Sequence, residues 1–333
     1  YRVEEKLLPV SATDHNGNSV LHRITHLDDL YVSDFTYGKY QGITEMNELL
    51  LDLGEIDASK ELLLFLRGWI FPTDASINAS ISQSEALELI APSVEAINEQ
   101  GEWVTIVEHL GIPMGKDKTV VADLSGKVNA SDPRIRIRTN MQLYWDQVFF
   151  IQDQPELPIK TFTLNPTSAD LHHRGFSRTY RKGGRYGPHW FDYSEISTTG
   201  QKWRDLTGFY TRYGDVQALL LEADDMYVIK NAGDETTIEF DARFLPDLPE
   251  GWTRDYLIHS VGWVKDGDMN TATGQTVEPL PFHGMSRYPY GPEESYPADK
   301  EHQKYLEEYN TREVNTEKFH GTLLGSDLSE KRN

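Results

Sequence analysis

The sequence predicts an all-β protein: a jelly-roll β-sandwich followed by a second β-rich unit with an extended, proline-rich C-terminal tail. Two observations predict this class. Short apolar or alternating runs recur along all 333 residues, separated by Gly, Pro, Asn and Asp, which is typical of sandwiches and barrels. One stretch, residues 134–146, also alternates strictly between apolar and polar side chains.

That stretch reads Arg-Ile-Arg-Ile-Arg-Thr-Asn-Met-Gln-Leu-Tyr-Trp-Asp. The odd positions, beginning with Ile135 and Ile137, are mostly apolar. The even positions, beginning with the three arginines, are polar. Successive side chains of a strand point to opposite faces, so one face enters a core. We expect one long strand, or two strands joined by a bend near Asn140, with one polar face.

The other elements are assigned in chain order. Residues 1–42 read as an N-terminal extended segment, and residues 43–151 as a β-sandwich, which resembles galactose-binding-like modules. The strand runs in this sandwich, besides 134–146, are 48–53, 61–69, 102–108 and 119–124, with a weaker alternation at 76–82. A helix is the alternative for 48–53 and 61–69, but both runs are short and bounded by glycine. Residues 152–158, polar and proline-containing, are the expected linker.

Residues 160–277 read as a second β-rich domain, and residues 278–333 as a wrapping tail. The expected strands of this domain are 216–221, 226–230, 236–240 and 255–261. The tail contains five prolines between residues 279 and 297, which favour an extended path. One short helix is expected at 300–309.

Composition excludes several classes of function. With 32 basic and 53 acidic residues the net charge is −21, which argues against nucleic acid and anionic membranes as partners. The absence of cysteine excludes disulfides, thiolate metal sites and cysteine nucleophiles. No apolar run approaches the length of a membrane span. Because the chain opens at Tyr1, we expect a processed product or a fragment of something longer.

Basic side chains are the first candidates for a binding site. On the strand at 134–146, three arginines and a tyrosine could hold a carboxylate, an acidic sugar or an acidic partner. Pairing with the protein's own acids is the favoured alternative. A second basic, Gly-rich segment suits contact with protein neighbours. The candidates are Arg134, Arg136, Arg138 and Tyr144 on the strand, and Arg178, Arg181 and Arg185 on the segment.

One loop offers oxygen ligands for calcium, the only cofactor the sequence suggests. Asp266, Asp268 and Asn270 are spaced like the first half of a calcium-binding loop. The pattern then fails, because Thr271 stands at its glycine position and Val277 at its final glutamate position. A plain surface loop is therefore the favoured interpretation.

Histidines and paired acids are the remaining candidates for chemistry. His172, His173, His189, His259 and His283 lack any recognised metal-binding spacing. The pairs Asp224-Asp225 and Asp234-Glu235 are expected by chance among 53 acids. Hydrogen bonding in loops or in the core is the favoured role for the histidines.

Two blocks of sequence resemble a known group. Residues 101–126 with 136–147, and residues 252–290 with the run Thr276-Val-Glu-Pro-Leu-Pro-Phe-His-Gly-Met285, resemble the C-terminal, non-propeller region of bacterial secreted FG-GAP/VCBS-repeat proteins of the ASPIC/UnbV (cartilage acidic protein-like) group. The chain lacks propeller repeats and an ASPIC/UnbV core motif. The resemblance implies export to the periplasm or cell exterior and an adhesion, scaffold or assembly role, with no catalytic residues.

These observations lead to one leading function and two alternatives. We expect a non-enzymatic, exported binding or scaffold protein that is a subunit or fragment of a larger assembly, with other protein subunits as partners. The first alternative is a carbohydrate-binding module with a polysaccharide partner. The second is a hydrolase that uses carboxylates in a cleft.

Overall fold

The computed structural model describes residues 1, 3–154, 158–182, 187–197, 206–265 and 274–315. Strands in antiparallel sheets dominate these residues, which confirms the all-β class. The chain divides into two compact units. Unit 1 contains Tyr1–Pro158 and Thr179–Phe191, and unit 2 contains Ile159–Arg178 and Asp192–Asn333.

Unit 1 contains the first eight strands and a helix. They are β1 (Ser11–Thr13), β2 (Ile43–Asp52), β3 (Leu62–Ile70), α1 (Ala75–Ser82), β4 (Ser93–Ile97), β5 (Trp103–Val107), β6 (Lys118–Asp123), β7 (Arg134–Met141) and β8 (Leu143–Gln152). The strands form a five-stranded sheet in the order β1-β2-β7-β4-β5 and a three-stranded sheet in the order β6-β3-β8. Within residues 1–42, β1 adds a short strand to the edge of the larger sheet.

The two sheets of unit 1 share one core. Leu51 of β2 and Ile135 of β7 come from the larger sheet, and Leu64 of β3 and Val148 of β8 from the smaller one. All four are buried in the same hydrophobic cluster. Unit 1 is thus a β-sandwich with its sheets packed face to face. A jelly-roll connectivity stays a prediction.

The smaller sheet is buried on both faces. Opposite the shared core, Phe65 and Phe149 stack with ring centroids 4.8 Å apart, and Tyr1 contacts Phe65 edge-on. The N-terminal segment is joined to β8 by a bridge between Leu7 and Phe150. Burial on two faces explains why the β3 sequence is continuously apolar instead of alternating.

Residues 134–146 form two strands, as the bend interpretation predicts, with the break at Gln142. The two strands lie in different sheets. The odd positions, from Ile135 to Trp145, are all buried. The even positions are polar and partly exposed only as far as Arg138, and from Asn140 to Asp146 they are buried too. The predicted polar face thus covers the first half of the stretch only.

The weak alternation at 76–82 was a wrong prediction, because these residues form α1. The reason is a capping interaction: the Asp74 side chain accepts a hydrogen bond from the Ile77 backbone N–H at 2.8 Å. A carboxylate at this position satisfies a backbone donor that the first helical turn leaves unpaired. Such a local signal outweighs a short, weak alternation.

Unit 2 is built from smaller sheets. Its remaining elements are β9 (Ser168–His173), β10 (Phe176–Arg181), β11 (His189–Ser197), β12 (Gly208–Tyr210), β13 (Gly214–Asp215), β14 (Asp234–Glu239), α2 (Lys300–Glu308) and β15 (Arg312–Val314). The sheets are β13-β9-β14, β12-β15 and β10-β11, and residues of the last are divided between the two units. The helix predicted at 300–309 is confirmed as α2.

The core of unit 2 is smaller than that of unit 1. Leu171 of β9, Tyr210 of β12 and Tyr305 of α2 are buried in one cluster, which Val277 and Leu280 of the tail join. The strand expected at 236–240 is present as β14, whereas 226–230 and 255–261 form no strand. Residues 217–220 form a short 3-10 helix instead of the expected strand. Within the described ranges, no helix has the length and apolar character needed to cross a membrane.

Candidate functional site

The arginines of β7 face carboxylates on both neighbouring strands. In the sheet register Arg138 lies opposite Glu48 of β2, and Arg136 lies opposite Glu95 of β4. Arg136 Nη2 is 2.6 Å from Glu95 Oε2, and Arg138 Nη1 is 3.1 Å from Glu95 Oε1. Glu95 therefore bridges two arginines. Cross-strand pairs of opposite charge stabilise a sheet at this spacing.

The other contacts of these arginines also lie within the protein. Arg134 forms a bidentate pair with Asp132, with both N–O distances at 2.6 Å. The Arg136 guanidinium lies 4.4 Å from the centroid of the Trp103 ring, a cation–π contact. The three arginines thus have acidic or aromatic neighbours of their own, as the ion-paired interpretation requires.

Tyr144 lies apart from the arginines. It belongs to β8 in the other sheet and is 1% exposed, which corrects its expected place on the arginine face. Its ring stacks on Trp69 at 5.5 Å and meets Tyr31 and Phe35 edge-on. The strand break at Gln142 explains the separation, because it moves the following residues into the second sheet.

The polar side chains that follow Arg138 serve the fold. The Asn140 side chain accepts a hydrogen bond from the Ile90 N–H at 2.8 Å and donates one to the Glu88 carbonyl at 2.7 Å. The Gln142 amide donates to the Tyr144 hydroxyl. These bonds satisfy polar groups that would be costly to bury alone.

A buried acidic group in unit 1 was not foreseen from the sequence. We define the Asp146 cluster as Asp29, Tyr31, Asp117, Asp146 and Lys182. Asp146 has no exposed surface, and its Oδ1 accepts the Asp29 N–H at 3.0 Å. The Tyr31 hydroxyl lies 3.3 Å from carboxylate oxygens of both Asp29 and Asp117. Lys182 Nζ lies 3.0 Å from Asp29.

The surroundings of the Asp146 cluster raise the pKa of two of its carboxyls. Burial raises the pKa of the Asp146 carboxyl to about 6, and the charges of Asp29 and Asp117 add to this rise. Burial also raises the pKa of Asp117. Asp146 Oδ2 is buried without a hydrogen-bond partner in the described structure. A buried carboxylate near other carboxylates is held in its charged form at a cost in free energy.

The structure gives no support to a metal site in the parts it describes. No group of three or more His, Asp or Glu side chains there is arranged to hold a metal ion. The calcium loop predicted at Asp266, Asp268 and Asn270 lies outside the described residues. Calcium thus stays a prediction from the sequence.

The basic segment is also engaged within the protein where it is described. Arg178 Nη1 lies 3.0 Å from both carboxylate oxygens of Glu195. Arg181 Nη1 donates to the Gly187 carbonyl at 3.0 Å, and its guanidinium lies 5.8 Å from the Phe71 ring centroid. The third predicted member, Arg185, lies outside the described residues.

Two groups singled out in the sequence meet in unit 2. Asp225 Oδ1 lies 2.5 Å from His283 Nδ1, and both oxygens of Asp225 accept the His283 backbone N–H at 3.1 Å. The Tyr227 hydroxyl donates to the same carboxylate at 2.7 Å. Asp234 pairs with Arg312 at 2.6 Å and accepts a hydrogen bond from the Tyr213 hydroxyl. These acids therefore join distant parts of unit 2.

The most exposed apolar surface lies in unit 2, where the sequence predicts a strand. We call residues 256–264 the apolar segment. Its large side chains are exposed, with Leu257 at 96% and Val264 at 97%. No backbone hydrogen bond joins this segment to the rest of the described chain. Nearby in sequence, Phe240 and Phe244 are exposed too. Contiguous exposed apolar surface is typical of a site for protein contact.

No protein-family model, curated protein or solved structure matches this chain.

Proposed function

We propose that the chain is a non-enzymatic binding or scaffold protein that contacts other protein subunits through the apolar segment of unit 2. The single observation that carries this proposal is the exposure of that segment. Its sequence has the apolar, β-branched and aromatic character of a strand core, yet it lies in no sheet. Soluble proteins seldom leave such a surface uncovered unless a partner covers it.

The backbone of the segment supports the same proposal. Unpaired N–H and C=O groups along an apolar, strand-like stretch can add to a sheet edge of another chain. Apolar side chains on the stretch then bury surface, which supplies much of the free energy of association. The described part of unit 2 has several edge strands, among them β14, on which Ile238 is exposed at 41%.

The candidate carboxylates of unit 2 have structural partners. Asp225 and Asp234 are tied to His283 and Arg312 by short, specific bonds that connect segments of unit 2. Export to the periplasm or cell exterior is part of the proposal and rests on the resemblance to secreted FG-GAP/VCBS-associated proteins.

Affinity capture from the native source tests this function. The chain and the double variant Leu257→Asp/Val264→Asp are immobilised, and any protein captured only by the unaltered chain is purified and titrated against it by calorimetry. We expect the two aspartates to weaken binding by about tenfold or more, because each places a charge in a desolvated contact. The matched control is Val10→Asp, which alters an exposed apolar side chain of unit 1.

The capture experiment has one outcome that supports the proposed function and one that overturns it. Binding that the control retains and the double variant loses supports the function. The proposal is overturned if the unaltered chain and the double variant capture the same proteins, or if neither captures any. Further copies of the chain itself count as captured protein.

A further inference from the structure

The apolar segment is also suited to a particular partner. We infer that it pairs antiparallel with the same segment of a second copy of this chain, about a two-fold axis at Ser260. This inference rests on the proposed function, because it names the partner of the same surface. Three properties of the segment carry it: its charge pattern, the symmetry of strand pairing and the area it exposes.

Symmetry restricts the register of such a pair. In an antiparallel ladder, hydrogen-bonded and non-hydrogen-bonded residue pairs alternate. A two-fold axis carries a hydrogen-bonded pair onto a hydrogen-bonded pair, and a non-hydrogen-bonded pair onto a non-hydrogen-bonded pair. This is possible only when the axis passes through one residue pair, so that one residue faces its own copy. Registers in which two neighbouring residues, such as His259 and Ser260, face each other are therefore excluded. This also excludes the pairing of Arg254 with Lys265, two positive charges.

Charge then selects among the allowed registers. With Ser260 facing its copy, Asp255 lies opposite Lys265 at both ends of the ladder, which gives two pairs of opposite charge. Within the same register, Leu257 lies opposite Trp263. With His259 facing its copy instead, Asp255 would lie opposite Trp263, and two imidazoles would meet at the axis. The Ser260 register is thus favoured.

Lys265 is positioned to pair with Asp255 of the second copy. Its Nζ donates to the Val277 carbonyl at 3.0 Å and to the Glu278 carbonyl at 3.3 Å. The ammonium also lies 5.2 Å from the centroid of the Tyr288 ring. An ammonium has three donors, so the two carbonyl bonds leave one N–H for a carboxylate of the second copy. Burial lowers the pKa of this amine, and a facing carboxylate would stabilise its charged form.

The segment exposes apolar surface that strand pairing covers in part. Six large side chains of the segment are exposed between 50% and 97%; they are Tyr256, Leu257, Ile258, Val261, Trp263 and Val264. Aromatic and aliphatic side chains of these sizes offer roughly 600–800 Å² of apolar surface per copy. Specific interfaces bury about 800 Å² per partner. The segment itself carries little charge, so the acidic body of the protein is the main source of repulsion between copies.

Single-cysteine variants test the register, because the chain has no cysteine of its own. Side chains that face each other across a ladder are close enough for a disulfide. Ser260→Cys should form a covalent dimer under mild oxidation about tenfold faster than Ser131→Cys, an exposed control site in unit 1 that reports random collision. His259→Cys and Val261→Cys should be slower than Ser260→Cys, because their copies lie diagonally.

Light scattering of the full chain completes the test. We expect a dimer at micromolar concentration in buffer with enough salt to screen the net charge of −21, and a monomer for Leu257→Asp. A monomer at all concentrations, or equal cross-linking of Ser260→Cys and Ser131→Cys, overturns the pairing. Faster cross-linking of His259→Cys also overturns it. A monomer that still captures another protein through the segment leaves the proposed function intact, so the two failures are distinguishable.

Discussion

Asp146 shows how a single residue can oppose the stability of its own fold. Its carboxyl is fully buried, one of its oxygens has no partner in the described structure, and two other carboxylates lie nearby. The backbone N–H groups of Asp28 and Asp29 both donate to its Oδ1, at 3.4 and 3.0 Å. Burial of a charge with few partners costs free energy, so the bonds that Asp146 accepts offset only part of the cost of its burial.

The Asp146 carboxyl should make the stability of unit 1 depend on pH. Its pKa is about 6 in the folded state, against an ordinary value of 3.8. The folded state therefore binds the proton more tightly, and stability rises as the pH falls from above 6 towards 4. Asp146→Asn removes the charge and keeps an acceptor for Asp29. We expect it to raise the free energy of unfolding at pH 7.5 by about 1–2 kcal/mol.

Urea denaturation at pH 7.5 and pH 4.5 measures this effect. The gain should shrink at pH 4.5, where the carboxyl of the unaltered protein is already protonated. Asp57→Asn, an exposed aspartate on a turn of the same unit, is the control. A destabilising effect of Asp146→Asn at pH 7.5 would show that the charge itself is required for the fold.

At the scale of elements, β7 is held between β2 and β4 by acid–base pairs as well as by backbone bonds. Glu95 contacts both Arg136 and Arg138 and is mostly buried. Glu48 contacts the same two arginines at longer distances and is more exposed. Arg134 and Asp132 form a pair of similar length, but both of these side chains are more exposed to water. Burial should therefore decide which of the pairs matters for stability.

We expect Glu95→Gln to destabilise unit 1 by about 1–3 kcal/mol, because two partly buried guanidinium groups lose their nearer and more buried charged partner and keep only Glu48. Asp132→Asn should change the stability by no more than about 0.5 kcal/mol, as is usual for an exposed pair. Chemical denaturation of both variants provides the comparison. Equal effects of the two substitutions would contradict the role of Glu95 as the bridging acid.

For the whole molecule, the two units have separate hydrophobic cores of unequal size. The main core of unit 1 contains 25 buried residues and that of unit 2 contains nine, counted over the described residues. The smaller core of unit 2 is supplemented by polar contacts, such as the Tyr305 hydroxyl donating to the Tyr227 carbonyl at 2.8 Å. A larger buried apolar area gives a larger stability.

We therefore expect two thermal transitions in calorimetry, with unit 2 unfolding first. Leu64→Ala, in the core of unit 1, should cost about 3 kcal/mol and lower only the second transition. Tyr305→Ala, in the core of unit 2, should lower only the first. Because each variant serves as the control for the other, a single transition that both variants move would contradict independent unfolding.

The sequence by itself determined the all-β class, the strand at β3, the helix α2 and the buried face of residues 134–146. These features depend on local periodicity and apolar content, which any strand or helix must satisfy wherever it lies. The pairing of the arginines with acids was also favoured in advance, because a chain with 53 acidic residues offers many partners. The alternation of the sequence did not show which acidic residues would pair with these arginines.

Only the tertiary structure decided which faces are covered. Asn140, Gln142, Tyr144 and Asp146 continue the polar alternation, but the break at Gln142 moves β8 into a second sheet whose outer face is covered by residues such as Tyr31 and Phe35. The stretch at 255–261 has a strand-like sequence and yet lies exposed outside any sheet. Alternation specifies the two sides of a strand, whereas packing against distant segments decides whether either side meets water.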